Sequence, residues 1–187
     1  MQKEPAEGQP ASEPTEVRVL YTPTTLYIAV QCLDSNPAGI RGSERRRDGD
    51  LSGDDTVTIV LDTFHDGRNG YEFATNPAGA RWDAQMANEG RESNANWDGV
   101  WDVRARIASN GWYAEFRVPF RTLKFTRADQ QAWGINFQRR LRRRNEESYW
   151  APVPRMFNLD RVSLAGSIAG LQELRPGRNL RVKPFMT

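Results

Sequence analysis

The chain has 187 residues, 38% hydrophobic and 27% charged, and its 26 basic and 24 acidic side chains leave a net charge of only +2. That length suits one domain with a packed core and is short for two, and the near balance lacks the basic excess of a nucleic-acid binder. A single cysteine, Cys32, and a single histidine, His65, exclude an intrachain disulfide, a thiolate cluster and a multi-histidine metal site.

No run approaches the ~20 apolar residues of a membrane-spanning helix, so direct membrane insertion is not expected. There is also no apolar signal core at the start. Residues 1–14 (MQKEPAEGQPASEP) are rich in Pro, Glu, Gly and Ser and read as an extended, poorly packed lead-in to one domain over 15–187. Residues 16–21 (EVRVLY) and 25–33 (TLYIAVQCL) alternate as strands across a turn at Thr22-Pro23-Thr24. Residues 34–54 are a polar excursion without periodicity, and its Arg45-Arg46-Arg47 cluster reads as a solvated loop. Residues 55–63 (DTVTIVLDT) are β-branched enough for a central strand.

Two hairpins follow. Around Asn76-Pro77-Ala78-Gly79, pairing Thr75 with Ala80 would put Tyr71, Phe73 and Thr75 on one face with Ala80, Trp82 and Ala84, leaving Glu72 and Asp83 on the other. The Pro and Gly of that turn serve backbone geometry, being too short to cradle a phosphate. Asn110-Gly111 predicts the second hairpin, with Ile107 opposite Ala114, Ala105 opposite Phe116, Val103 opposite Val118 and Arg106 meeting Glu115. Residues 120–125 (FRTLKF) suggest a helical turn.

The segment WGINFQRRLRRRNEESYWAP, from Trp133 to Pro152, carries five arginines in six residues. Its odd positions Trp133, Ile135, Phe137, Arg139, Leu141 and Arg143 are mainly apolar, whereas Asn136, Gln138, Arg140, Arg142 and Arg144 are polar. A period of two belongs to a half-buried antiparallel strand, so the even positions are expected as a row on an open sheet face. Glu146 and Glu147 stand ready to compensate that row, which argues against a nucleic-acid clamp. Residues 167–174 and 179–185 complete some ten short strands with no helix of three turns. An all-β, antiparallel, jelly-roll-like sandwich with only short helical turns is the expected fold.

The segments GDDTVTIVLDTFHDGRNGYEFATNPAGARWD, WDGVWDVRARIASNGWYAEFRVPF and WGINFQRRLRRRNEESYWAPVPR resemble the family 9 carbohydrate-binding module. More narrowly, they resemble the version found N-terminal to bacterial outer-membrane β-barrels, over residues 4–185. The resemblance implies a non-catalytic sandwich and, in some relatives, bound calcium. It also implies a fragment of a longer chain that is periplasmic, outer-membrane associated or secreted. In members attached to xylan-degrading enzymes two tryptophans sandwich a sugar. Here the segment Asp50-Leu51-Ser52-Gly53-Asp54-Asp55 has no aromatic where the first would stand, and residues 152–160 offer Phe157 where the second would.

Sugar binding lays the C–H faces of a pyranose on an aromatic ring and rings it with amides, carboxylates and guanidinium groups. Trp82 and Trp150 are the candidate platforms, with Asn136, Gln138 and Arg140 as hydrogen-bonding partners. The alternative for that row is docking against a neighbouring domain. Trp97, Trp101, Trp112 and Trp133 read as core plugs or loop anchors, and His65 as a turn residue. Asp34, Asp54 and Asp55 lie in loops that suit a hard cation such as calcium, without a regular ligand spacing. A glycosidase needs two carboxyls at a set separation, and no pair stands out, so no enzyme is expected. The expected function is binding of a polysaccharide or oligosaccharide in its breakdown or uptake. The rival is a structural domain partnering an outer-membrane β-barrel.

Overall fold

The computed structural model describes residues 1–177, so the strand expected over 179–185 lies outside the described residues. Within them the strands are β1 (Gln2–Glu4), β2 (Thr15–Thr22), β3 (Thr25–Leu33), β4 (Thr56–Asp62), β5 (Gly70–Thr75) and β6 (Arg81–Ala87). They continue as β7 (Glu92–Asn94), β8 (Asp102–Ala108), β9 (Gly111–Pro119), β10 (Gln130–Leu141), β11 (Glu146–Tyr149) and β12 (Gly166–Gln172). Helical structure among these residues is limited to 3₁₀ turns, one of them Phe120–Thr122. Two antiparallel sheets result. The larger runs β1-β11-β10-β4-β5-β6-β7 with β12 also on β10, and the smaller runs β2-β3-β9-β8.

The expected central strand is central: β4 lies between β10 and β5, and all seven of its residues are buried. Alternation decides which side chains meet between the sheets. Val57, Ile59, Leu61, Tyr71, Phe73, Trp133, Ile135 and Phe137 from the larger sheet pack against Leu26, Ile28, Val30, Trp112, Ala114, Phe116 and Val118 from the smaller. Trp101 stacks on Phe116 at 5.8 Å between ring centroids and meets Phe73 edge-on at 5.2 Å. Trp101, Trp112 and Trp133 are core plugs, and Trp97 packs over Tyr71 and Phe73.

The period of two in β10 holds through Leu141, where the chain leaves the strand for a 3₁₀ turn at Arg142–Arg144. The expected row of arginines therefore ends at Arg140. Arg139 points inward with Phe137 and is 4% exposed. Its Nη1 donates to Pro14 O at 3.0 Å and Thr15 Oγ1 at 3.1 Å, and its Nη2 donates to Leu33 O at 2.8 Å. One guanidinium thus ties the larger sheet to the paired ends of β2 and β3. Beside it Arg143 donates to Glu13 Oε1 at 2.9 Å and to Asp34.

Three local expectations are corrected. Residues 1–14 are mostly exposed, as a lead-in would be, but are pinned at two points: β1 pairs with β11, and Lys3 and Glu13 are each 7% exposed. Burial would push the Glu13 carboxyl up, but hydrogen bonds from Ser35 and Arg143 outweigh it and hold the pKa below its ordinary value. Charge pairing, which composition does not display, anchors a segment that lacks apolar periodicity. Second, Arg47 is not simply solvated, because it reaches the fully buried carboxylate of Asp83.

The third correction concerns register. Thr75 pairs with Arg81, not Ala80, so the loop holds five residues. Asn76 Oδ1 accepts from Ala78 N at 3.1 Å and Ala80 N at 3.0 Å, and Thr75 Oγ1 donates to Ala80 O at 2.7 Å. A one-residue change turns every β6 side chain over. Trp82 and Ala84 therefore leave the core side, which Asp83 joins. In the other hairpin the faces are as expected but the pairs slide by two, so Ile107 faces Trp112, Ala105 faces Ala114, Val103 faces Phe116 and Arg104 faces Glu115.

Replacing Arg139 by Leu keeps apolar contacts but strips donors from the Pro14 and Leu33 carbonyls. The expected loss is about 3–5 kcal/mol of unfolding free energy in urea. A variant as stable as the parent would show that this tie between the sheets is dispensable.

Candidate functional site

The face of the larger sheet turned away from the core carries every second residue of β11, β10, β4, β5 and β6. Cross-strand register aligns Tyr149, Gln138, Thr58, Ala74 and Trp82 in one row. The next row contains Glu147, Arg140 and Thr56. Thr58 and Ala74 are short and are 6% and 5% exposed, so the middle of the row is low and largely covered between the half-buried Trp82 and Gln138. Trp82 and Gln138 stand three strand spacings apart, about 14 Å.

The polar end is held in place. Gln138 Nε2 donates to Tyr149 Oη at 2.8 Å, and Arg140 Nη2 donates to Glu147 Oε1 at 3.1 Å. Lys3 Nζ approaches Glu147 at 3.7 Å and donates to Asn158 at 2.7 Å. Burial, and then the neighbouring charge of Glu147, push the Tyr149 phenol up, so it stays protonated. Two segments limit the floor. Residues 151–165 form a strap in which Val153, Leu159 and Val162 pack on Val60, Met86 and Tyr149. Residues 41–53 run past the other end. There Ser52 hydrogen bonds and, more weakly, the charge of Arg140 hold Asp50 below its ordinary pKa.

Trp82, Gln138 and Arg140 are therefore brought onto one face. Asn136 shares their parity but is not solvent-facing: it is 1% exposed beneath the strap. Its Nδ2 donates to Ala151 O at 3.0 Å and its Oδ1 accepts from Ala151 N at 2.9 Å, so the amide replaces a missing strand neighbour. Trp150 is 56% exposed but has the opposite parity, beside Phe137 at 6.0 Å. It borders a cleft of about 700 Å³ lined by Val17, Val19, Arg139 and Ile168, which Gln138 and Tyr149 also touch and Trp82 does not. Trp82 and Trp150 do not form one sandwich.

Most oxygens of the candidate calcium ligands accept N–H or O–H donors, whereas Asp34 Oδ2 accepts none and lies 3.9 Å from Arg139 Nη2. Asp54 accepts from Ser43, Glu44 and Asn76, Asp55 from Arg41 N and Arg142 N, and Asp34 from Asn36 N and Arg143. Among the described residues no three His, Cys, Asp or Glu side chains group to hold a metal. His65 is a turn residue with φ of 52°.

A family model described as carbohydrate family 9 binding domain-like matches residues 3–147. The chain belongs to that family. No curated protein matches the sequence. Among solved structures, a putative carbohydrate-binding protein from Bacteroides uniformis is similar at a TM-score of 0.70 and 13% identity, covering 84% of this chain and 78% of that one. A family 9 carbohydrate-binding module from Caldicellulosiruptor kristjanssonii in complex with glucose is similar at a TM-score of 0.60 and 14% identity, covering 95% and 84%. A family 9 carbohydrate-binding module from Caldicellulosiruptor kristjanssonii in complex with cellotriose gives 0.61 and 14%, covering 100% and 88%. At these identities the likeness establishes a shared fold.

For this family 9 domain, sequence reasoning missed Thr58 and Tyr149 as parts of the row, because their value depends on cross-strand alignment. It noticed Glu72 but not its setting. Glu72 lies in the row between Val60 and Ala84, diagonal to Trp82, and has no hydrogen-bond partner among the described residues. Burial, and then the charge of Asp160, raise its pKa from 4.5 to about 7.

Between the ordinary value and about 7 the unfolded chain releases the Glu72 proton and the folded domain keeps it, so stability falls as pH rises through that window and then levels. Glu72→Gln is expected to flatten this part of a pH series of urea midpoints. An unchanged slope would remove Glu72 as its source. Millimolar calcium is expected to leave the thermal midpoint of the parent domain where chelator leaves it, and a calcium-dependent rise would return Asp34, Asp54 and Asp55 to consideration.

Proposed function

We propose that this domain is a non-catalytic carbohydrate-binding module that lays a short glycan across β6, β5, β4 and β10. The carrying observation is the register that puts Trp82, Gln138 and Arg140 on one face over the low floor of Thr58 and Ala74. Trp82 offers a ring for the C–H face of a pyranose, and the amide and guanidinium groups at the far end meet its hydroxyls. Family membership supports the class of ligand, and the sugars in the two Caldicellulosiruptor kristjanssonii complexes support neutral glucose-based chains as first probes. Only part of Arg140 is committed to Glu147, so donors remain for a ligand.

The wider setting is a proposal of the same kind. Its support is the resemblance of the sequence to domains that precede outer-membrane β-barrels. On that reading the module is exported, works at the outer membrane or outside it, and serves polysaccharide breakdown or uptake beside a barrel domain. A purely structural role in the same place is the second reading, favoured by the strap that packs over Val60, Met86 and Tyr149 on that face.

Titration calorimetry with glucose, cellotriose and longer neutral glucans separates the two. Trp82→Ala is expected to weaken binding about tenfold or more, the loss of an aromatic platform worth roughly 1–2 kcal/mol. Gln138→Ala should weaken it less, and Trp150→Ala should leave it unchanged. A full loss in Trp150→Ala with normal binding by Trp82→Ala would move the site to the edge cleft. No heat with any glycan would favour the structural reading.

A further inference from the structure

We propose that the outward face of the smaller sheet is a second glycan site for a neutral oligosaccharide, so that the module grips chains on both faces. The inference rests on the reading that the domain binds glycans, but uses different residues. Register across β2, β3, β9 and β8 aligns Arg18, Ala29, Glu115 and Arg104 in one row and Glu16, Gln31, Tyr113 and Arg106 in the next. Ala29 is the only one of these eight with a short side chain, and it is exposed. Around it a trough of about 490 Å³ opens, walled by Arg18, Gln31, Arg104, Tyr113 and Glu115.

The walls are preorganised without being saturated. Gln31 Nε2 donates to Tyr113 Oη at 3.2 Å, and that hydroxyl donates to Asn110 Oδ1 at 2.9 Å. The guanidinium of Arg106 lies 4.9 Å from the centre of the Tyr113 ring. Arg104 and Glu115 are directly opposite in the register, yet they form no ion pair with each other or with another described residue. A guanidinium that must donate and a carboxylate that must accept thus flank the same open space.

The charge pattern selects the ligand. The trough sets Arg18, Arg104 and Arg106 against Glu16 and Glu115, with Arg18 near Glu16 at 3.5 Å. In the adjoining row Arg117 and Asp102 are paired at 3.3 Å. An anionic chain would meet two carboxylates and a cationic one three guanidinium groups. Hydroxyls, each both donor and acceptor, satisfy the two signs together. A neutral sugar chain complements the mixture.

Calorimetry with neutral glucan oligosaccharides of three or more units tests this through stoichiometry. The parent domain is expected to bind two, falling to one in Ala29→Trp, which fills the trough from an exposed strand position that tolerates an aromatic. The pair Arg104→Ala with Glu115→Ala should act alike, and Trp82→Ala should remove only the other site. One site in the parent, lost in Trp82→Ala and untouched by Ala29→Trp, would overturn the second site and leave the first. Binding of acidic oligosaccharides alone at the trough would overturn the neutral assignment. No binding to any glycan would defeat the primary reading, and this one with it.

Discussion

A buried cation holds the two layers of this domain in relation to each other. Arg139 points into a core that cannot solvate it, so its charge must be met by carbonyls and carboxylates brought from elsewhere. Those acceptors come from the ends of β2 and β3, from the segment before β2, and from the loop after β3. The requirement constrains the stagger of the sheets at one corner more tightly than apolar packing can, since packing is not directional. It also explains why a proline-rich opening segment is ordered: Glu13, with Asp34, supplies the negative charge that Arg139 and Arg143 need.

With the inner faces committed to the core, recognition is left to the outer ones. The larger sheet is overlaid by residues 151–165, whose Val153, Leu159 and Val162 bury Val60 and Met86. Asn136 fastens the start of that strap through two hydrogen bonds to Ala151. Beside it the row from Trp82 to Tyr149 is only partly open: Trp82, Gln138 and Arg140 reach solvent in part, whereas Thr58, Ala74 and Tyr149 are buried. The smaller sheet has no comparable strap among the described residues, and its charged outer face is open.

Much of this was legible in the residues. Alternation in β3, β4, β9 and β10 revealed the strands and their buried sides, because a half-buried strand has no other way to keep apolar and polar groups apart. Asn110-Gly111 marked its hairpin for backbone reasons, since Gly111 has φ of +140°. Less legible was the role of single polar residues. Asn136, Gln138 and Arg140 look alike as even positions, but Asn136 is buried because the strap crosses above it. Arg139 and Arg47 look like solvated charges in runs of arginine, and each instead meets a buried acid or carbonyl distant in sequence.

Local pattern and composition were enough for the all-β class, the order of most strands, the buried aromatic set and the exclusion of an intrachain disulfide or a multi-histidine site. These depend on local periodicity and composition, which neighbouring residues carry between them. The tertiary structure alone decided which face Trp82 occupies, since a five-residue turn shifts β6 by one position and turns every side chain over. It alone parted Trp150 from Trp82, aligned Thr58 with Gln138, and set Glu72 beside Asp160. Such relations join strands remote along the chain, through register and burial that local pattern leaves open.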